Sequence, residues 1–323
     1  MTKQKWEPKD PKQAFFPVEL RPIFMEDSAN TAKYHKLPRH LAVVDIEKKN
    51  PFAVVTDDYK LVTNQEAYEI AGAIMKKVFK GTNIDDMVCL NVIMPKTRSF
   101  CHIDLIHKTA DFSPWKKDKK DKWTAFLRIT NSYNRTRLLR FELGFCRWIC
   151  LNGMIFGEKS IKYGYTHTHR EVERIEGFVD NIGDIQKIEV QLIEKLHQLK
   201  RYYVPEPKML PILCRTFNIK VTEDVLKKPK QVENLIDLRE QTRELTKDYF
   251  SEMGPHGYAA LNVLTDFASR PKGVISPTAS IHSFQQKCGN WIDDFISAIK
   301  QSDFSFDIYL EEYYQSAQII EGL

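Results

Sequence analysis

The stretch Trp123 to Gly157, WTAFLRITNSYNRTRLLRFELGFCRWICLNGMIFG, decides the fold class. Trp123, Ala125, Leu127 and Ile129 alternate with Thr124, Arg128 and Thr130. Further on, Leu139, Phe141, Leu143, Phe145 and Ile149 share one parity, and Arg140 and Glu142 take the other. A period of two assigns each set to one face of a sheet. The link Ser132-Tyr133-Asn134-Arg135-Thr136 is rich in turn formers. The stretch therefore predicts a long β-hairpin with one buried face. Arg128, Arg135, Arg137 and Arg140 mark its other face and its tip.

Working outward, the N-terminal half is β-rich. Residues 1–14 are polar and are expected to form a disordered arm. Phe15 to Phe24 reads as extended, held to a sheet edge or outside a sheet by its prolines, and Asp27 to Arg39 reads as a polar loop. Leu41 to Ile46 and Phe52 to Thr56 are short strands, with a further strand expected over Tyr59 to Thr63. A helix begins at Thr63 or Asn64, with Glu66 in its first turn, and ends at Gly81. Strands follow at Met87 to Met94 and Phe100 to His107. A charged loop, Asp111 to Lys122, leads into the hairpin, and a last strand is expected at Ser160 to His169.

After that the period changes. Ile175, Phe178, Val179, Ile182, Ile185, Leu192, Ile193, Leu196 and Leu199 fall on one side of a 3.6-residue spiral. They predict a long helix from about Arg170 to Tyr203, stopped by Pro205, Pro207 and Pro211. Helices near 224–250, 256–269 and 283–299 follow. The stretch Tyr309 to Tyr314 reads either as a partner-docking segment or as a frayed terminus. Strands first and helices later is the α+β order. The organisation is an arm over 1–14, a basic, largely antiparallel β-rich region over 15–170, and a helical region over 171–323 that packs on it or follows it.

Charge follows the same division. Residues 1–170 hold 30 Lys+Arg against 19 Asp+Glu, and residues 171–323 hold 18 against 24. Such asymmetry points to a polyanionic or acidic partner for the first half. The competing reading is a solvated basic face offset by an acidic helical half. No apolar run approaches the ~20 residues that span a bilayer, and the first residues lack the apolar core of a secretory signal. Cys89, Cys101, Cys146, Cys150, Cys214 and Cys288 show no CxxC, which fits reduced thiols and a cytoplasmic location.

The central motif is similar to the phage/plasmid-like family known as domain of unknown function 932. The matching pieces are PFAVVTDDYKLVTNQEAYEIA (51–71), LRITNSYN with LLRFELGFCRWICLNGMIFG (127–157), Thr166-His167-Thr168, and YAALNVLTDFA (258–268). Arg147, Cys150, Asn152 and Gly153 fit the family's Arg-x-x-Cys element before an Asn-Gly. The resemblance implies a setting in mobile genetic elements, and with it DNA transactions. The order of helix, antiparallel strands with a basic hairpin, and long helix is also similar to the core of single-strand annealing proteins, which form rings around a basic groove for single-stranded DNA. That second likeness is architectural, and fold does not imply function.

Two chemistries compete for the site. Lys and Arg neutralise phosphates, and aromatic rings stack on the bases of a single strand. The nucleic-acid candidates are Arg98, Arg128, Arg135, Arg137 and Arg140, the clamp lysines Lys116, Lys117, Lys119 and Lys120, and the stacking rings Trp115 and Tyr133. Trp123 shares the apolar parity of its strand and reads as core. The metal reading rests on His102 and Asp104, on one face of a strand, and on His167 and His169, on one face of another; together they suggest a metal-dependent phosphodiester hydrolase. The plainer account of these histidines is hydrogen-bonded strand positions. No nucleotide-binding glycine motif or zinc spacing occurs. Cys146 and Cys150 read as buried structural thiols, because nothing nearby would lower their pKa except Arg147. The expectation is a cytoplasmic, non-enzymatic protein without cofactor that binds DNA, single-stranded above all, in recombination or replication, with homo-oligomer formation an option and no membrane contact. Besides the hydrolase, the remaining alternative is a protein that interacts with a host factor.

Overall fold

The computed structural model describes residues 7–27, 30–78, 84–116, 120–147, 152–155, 162–168, 185–269 and 277–323. It is α+β, with antiparallel sheets in the N-terminal half and helices in the C-terminal half.

The predicted hairpin is present. Strands β6 (Trp123–Ser132) and β7 (Leu139–Arg147) pair antiparallel from Trp123↔Arg147 to Thr130↔Arg140. Asn134 organises its turn: the Oδ1 atom accepts from Ser132 Oγ at 2.9 Å, Thr136 N at 3.2 Å and Thr136 Oγ1 at 2.6 Å. The hairpin is the middle of a sheet ordered β4 (Met87–Ile93), β5 (Phe100–Phe112), β6, β7 and β8 (Asn152–Ile155), with β9 (Lys162–Tyr165) also on β7. One expectation fails. Alternation predicted a single buried face, yet every residue of β6 is buried. The polar parity, Arg128 and Thr130 included, is covered as well as the apolar one.

The N-terminal part differs more. The extended segment over Phe15 to Phe24 is an edge strand, β1 (Val18–Asp27), one of its two readings. The expected polar loop over Asp27 to Arg39 is instead most of a second strand, β2 (Asn30–Asp45), paired with it. With β3 (Asn50–Thr56) they make a separate three-stranded sheet. The strand expected over 59–63 reduces to one bridge, Tyr59↔Thr168. Residues 9–14 are not loose either. Lys9 N donates to Cys89 O at 2.9 Å, Pro11–Ala14 form a 3-10 turn capped by Asp10, and Ala14 is buried.

Helix α1 (Asn64–Val78) starts as read. Glu66 N donates to Thr63 Oγ1 at 3.1 Å and Thr63 N donates to Glu66 Oε2 at 2.6 Å, a reciprocal capping box. Its apolar face, with Ala71, Ile74 and Met75, packs on Leu105, Leu127 and Phe141 of the large sheet. The helical half comprises α2 (Ile185–Arg201), α3 (Met209–Phe217), α4 (Glu223–Leu226), α5 (Pro229–Met253), α6 (Gly257–Ser269), α7 (Pro277–Ala298) and α8 (Phe306–Gly322). The start of the long helix expected from Arg170 lies outside the described residues. The expected 224–250 helix breaks at Lys227–Lys228, because Pro229 is best placed at a helix start. The tail neither frays nor stands free: Tyr309, Leu310, Tyr313, Ala317 and Ile320 enter the helical core. Trp123, Ala125 and Phe145 belong to that same core, so the far end of the hairpin is anchored in the helices.

Candidate nucleic-acid interface

The large sheet carries its cations at two ends and in the middle, and the three places differ in kind. In the middle, Arg128 is 0% exposed and forms a bidentate pair with Asp104, Nε to Oδ1 and Nη2 to Oδ2 both at 2.6 Å. Their strands bring the two residues opposite each other. A buried pair of this geometry is satisfied internally and offers nothing to a phosphate. Arg128 therefore leaves the set of candidate contacts. Asp104 leaves the metal set for the same reason, since both its oxygens are taken. His102 is buried, with Nδ1 at 2.8 Å from Thr130 Oγ1. His167 is buried and stacks on Tyr59 at 5.3 Å, and burial keeps its pKa low, partly offset by the backbone of Lys60. His169 lies outside the described residues. Among those residues, no group of three metal-ligating side chains comes together.

At the helical end, Trp115 is a packing residue rather than a stacking platform. Its Nε1 donates to Asp121 Oδ2 at 2.6 Å, His197 stacks on the indole, and the Lys200 ammonium lies 4.1 Å from the ring centroid. Asp121 also accepts from Tyr258 Oη at 2.7 Å and, through Oδ1, from Arg147 Nε at 2.6 Å. Arg147 continues to Asn262 Oδ1 at 3.2 Å. A single loop carboxylate thus ties the hairpin's last residue to α6. No parity or spacing in KKDKKDK distinguished Asp121 from its charged neighbours. Lys116 and Lys120 on that loop are exposed, and Lys117 and Lys119 lie outside the described residues.

At the tip, Tyr133 is 1% exposed. It stacks on Phe52 at 5.3 Å, and its hydroxyl accepts from Asn64 N at 2.8 Å. It joins the two sheets and is closed to bases. Arg98 is neutralised there too, by Glu47 Oε2 at 2.7 Å and Asp45 Oδ2 at 3.4 Å, with its guanidinium over Phe16.

Three candidates remain together. Arg135 is exposed at the turn, in the left-handed region with φ 61°. Arg137 and Arg140 are half-buried beside it in the chain. None of the three side chains makes a hydrogen bond or an ion pair to any described residue. Arg137 lies over the Phe100 ring, 4.3 Å from its centroid, and its Nε is buried without a partner. Its pKa is lowered, first by burial and then by the nearby charge of Arg140. Gly164 of β9, paired with Arg140, keeps space for the arginine stem: a Cβ there would sit 3.1 Å from Leu138 Cδ1 and 3.5 Å from Arg140 Cγ.

The cysteines carry no chemistry at this site. Cys89, Cys101, Cys146, Cys214 and Cys288 are free and buried, burial pushing Cys89 and Cys214 up to about 12. Cys150 lies outside the described residues.

A family model described as a domain of unknown function, DUF932, matches residues 51–286, and the chain belongs to that family. No curated protein and no solved structure matches it. No helix among the described residues is long and apolar enough to cross a membrane.

Proposed function

We propose that this chain is a non-enzymatic nucleic-acid-binding protein of the phage/plasmid type, and that it takes single-stranded DNA at the tip of the β6–β7 hairpin. One observation carries the reading: Arg135, Arg137 and Arg140 lie together at the tip, and none of their side chains pairs with a carboxylate among the described residues. A half-buried guanidinium without a counter-ion is costly, and a phosphate offers both the charge and paired acceptors. Phosphate contacts of this type fix position without reading sequence, so affinity should vary little with base order. The buried Asp104–Arg128 pair and the stacked His167 favour no hydrolytic reading over this one.

Fluorescence anisotropy with a labelled single-stranded oligonucleotide tests it. The variant Arg135→Glu/Arg137→Glu/Arg140→Glu is expected to bind at least about tenfold more weakly than the wild type at low salt, each lost phosphate contact flattening the salt dependence by roughly 0.7 in log–log slope. Equal affinity for both proteins, with thermal melts showing both folded, overturns the assignment.

A further inference from the structure

Large exposed hydrophobic side chains are few among the described residues, and three of them, Phe24, Met25 and Tyr34, lie on one two-stranded ribbon at 55%, 55% and 65% exposure. β3 pairs with β2 only from His40 to Asp45, so Phe24–Asp27 and Asn30–Lys36 run beyond it with no third strand. The register sets Phe24 opposite Lys36, Met25 opposite His35 and Glu26 opposite Tyr34. Cross-strand partners share a face, as do alternate residues along a strand. One face therefore carries Phe24, Tyr34, Lys36 and Glu26. The other carries Met25 with the His35–Asp27 contact at 3.2 Å.

The ribbon is set off from the sheet by a bulge. Between Pro22↔Leu41 and Phe24↔Lys36 the second strand has four residues, 37–40, against one on the first, with Arg39 at φ 62°. Such a bulge bends the strand pair. At this bend Arg39 Nε pairs with Asp57 Oδ2 at 3.2 Å. Two residues on, Tyr59 shares one buried cluster with Tyr133, the residue that leads into the hairpin turn. The root of the ribbon thus lies beside the hairpin tip.

We infer that the Phe24/Tyr34 face of this ribbon is a base-stacking platform for the same single strand whose phosphates the tip arginines hold. The inference rests on the nucleic-acid reading above. Lys36, on the Phe24/Tyr34 face, is exposed and makes no ion pair with any described residue; Lys33 is exposed on the opposite face. An apolar partner covering Phe24 and Tyr34 would desolvate the Lys36 ammonium and the Glu26 carboxylate of the same face. A single strand supplies bases for the rings and a phosphate for Lys36. Glu26, exposed on the same face, opposes a polyanion, so Glu26→Gln should tighten binding.

The test compares two probes of equal length on the full chain: an oligo-dT and an abasic deoxyribose-phosphate oligomer. Phe24→Ala/Tyr34→Ala is expected to lose at least about fivefold on oligo-dT per ring removed, and to bind the abasic oligomer as the wild type does. The triple tip variant should lose affinity for both probes. An unchanged preference for dT over the abasic oligomer in Phe24→Ala/Tyr34→Ala overturns the platform while leaving the tip intact. A drop in oligomer mass for that variant, with unchanged dT preference, assigns the face to a second copy of the chain instead. No complex of the wild type with either probe overturns the nucleic-acid reading, and the platform with it.

Discussion

Three donors converge on the Asp121 carboxylate: Trp115, Tyr258 and Arg147. Asp121→Ala would take from the buried Arg147 guanidinium its carboxylate partner at 2.6 Å. Breaking a buried pair from one side costs about 3–5 kcal/mol. Chemical denaturation is expected to show a loss of that size; a change below about 1 kcal/mol would contradict the role given to Asp121. Arg135 makes the opposite case. Its left-handed backbone is strained for any residue with a Cβ, by roughly 1–2 kcal/mol. Arg135→Gly should therefore weaken DNA binding without lowering Tm, and a lower Tm would show that the arginine supports the turn. At this scale the sequence is least legible. Arg128 and Arg135 look alike in a list of hairpin cations. What separates them is Asp104, which lies 24 residues away in the chain and directly across one strand pair.

The elements were more legible where pattern and punctuation agree. Strict alternation and an Asn-containing turn predict β6–β7 with its parity, and the Thr63/Glu66 pair predicts the start of α1. The prolines of Phe15 to Phe24 allow an edge strand, as β1 is, whereas most of β2 escaped because Pro38 argues against a strand. Pro22 and Pro38 are both tolerated here: Pro22 lies on β1, an edge strand, and Pro38 lies in the bulge. The expectation of one buried face failed because alternation reports which residues are apolar, whereas burial of the polar parity depends on what else packs there. Gln286 of α7, whose Nε2 donates to Glu142 Oε1 at 2.9 Å, is one such contact from far along the chain. The Asp104–Arg128 pair gives this scale its prediction. Arg128→Met should destabilise the sheet strongly, and the double variant Asp104→Leu/Arg128→Met should recover part of the loss, because no lone charge stays buried. Additive losses in denaturant melts would contradict the coupling.

Across the whole molecule, three arginines of the basic first half are taken up in internal ion pairs. Asp104, Glu47, Asp45 and Asp121 hold Arg128, Arg98 and Arg147 internally, while Arg135, Arg137 and Arg140 at the hairpin tip make no ion pair with any described residue. Charge counting located the half of the chain but not the residues, since a count carries no pairing. Stability should also respond to pH as a whole. Burial is the largest influence on His107, His167 and His256, and holds each below the ordinary 6.5. The unfolded chain then takes up more protons in mild acid, so this stability is present above about pH 6.5 and is lost as pH falls through the lowered values. Tm should fall on acidification from about pH 7, and His167→Phe, which keeps a ring beside Tyr59, should reduce the fall. A Tm that rises on acidification would contradict this.

The most direct measurement is the affinity of the purified wild-type chain for a single-stranded oligonucleotide across a salt series. Three phosphates held at the tip predict a straight decline of log K against log salt with a slope of about −2. A salt-independent affinity, or no complex at the lowest salt, would contradict the account.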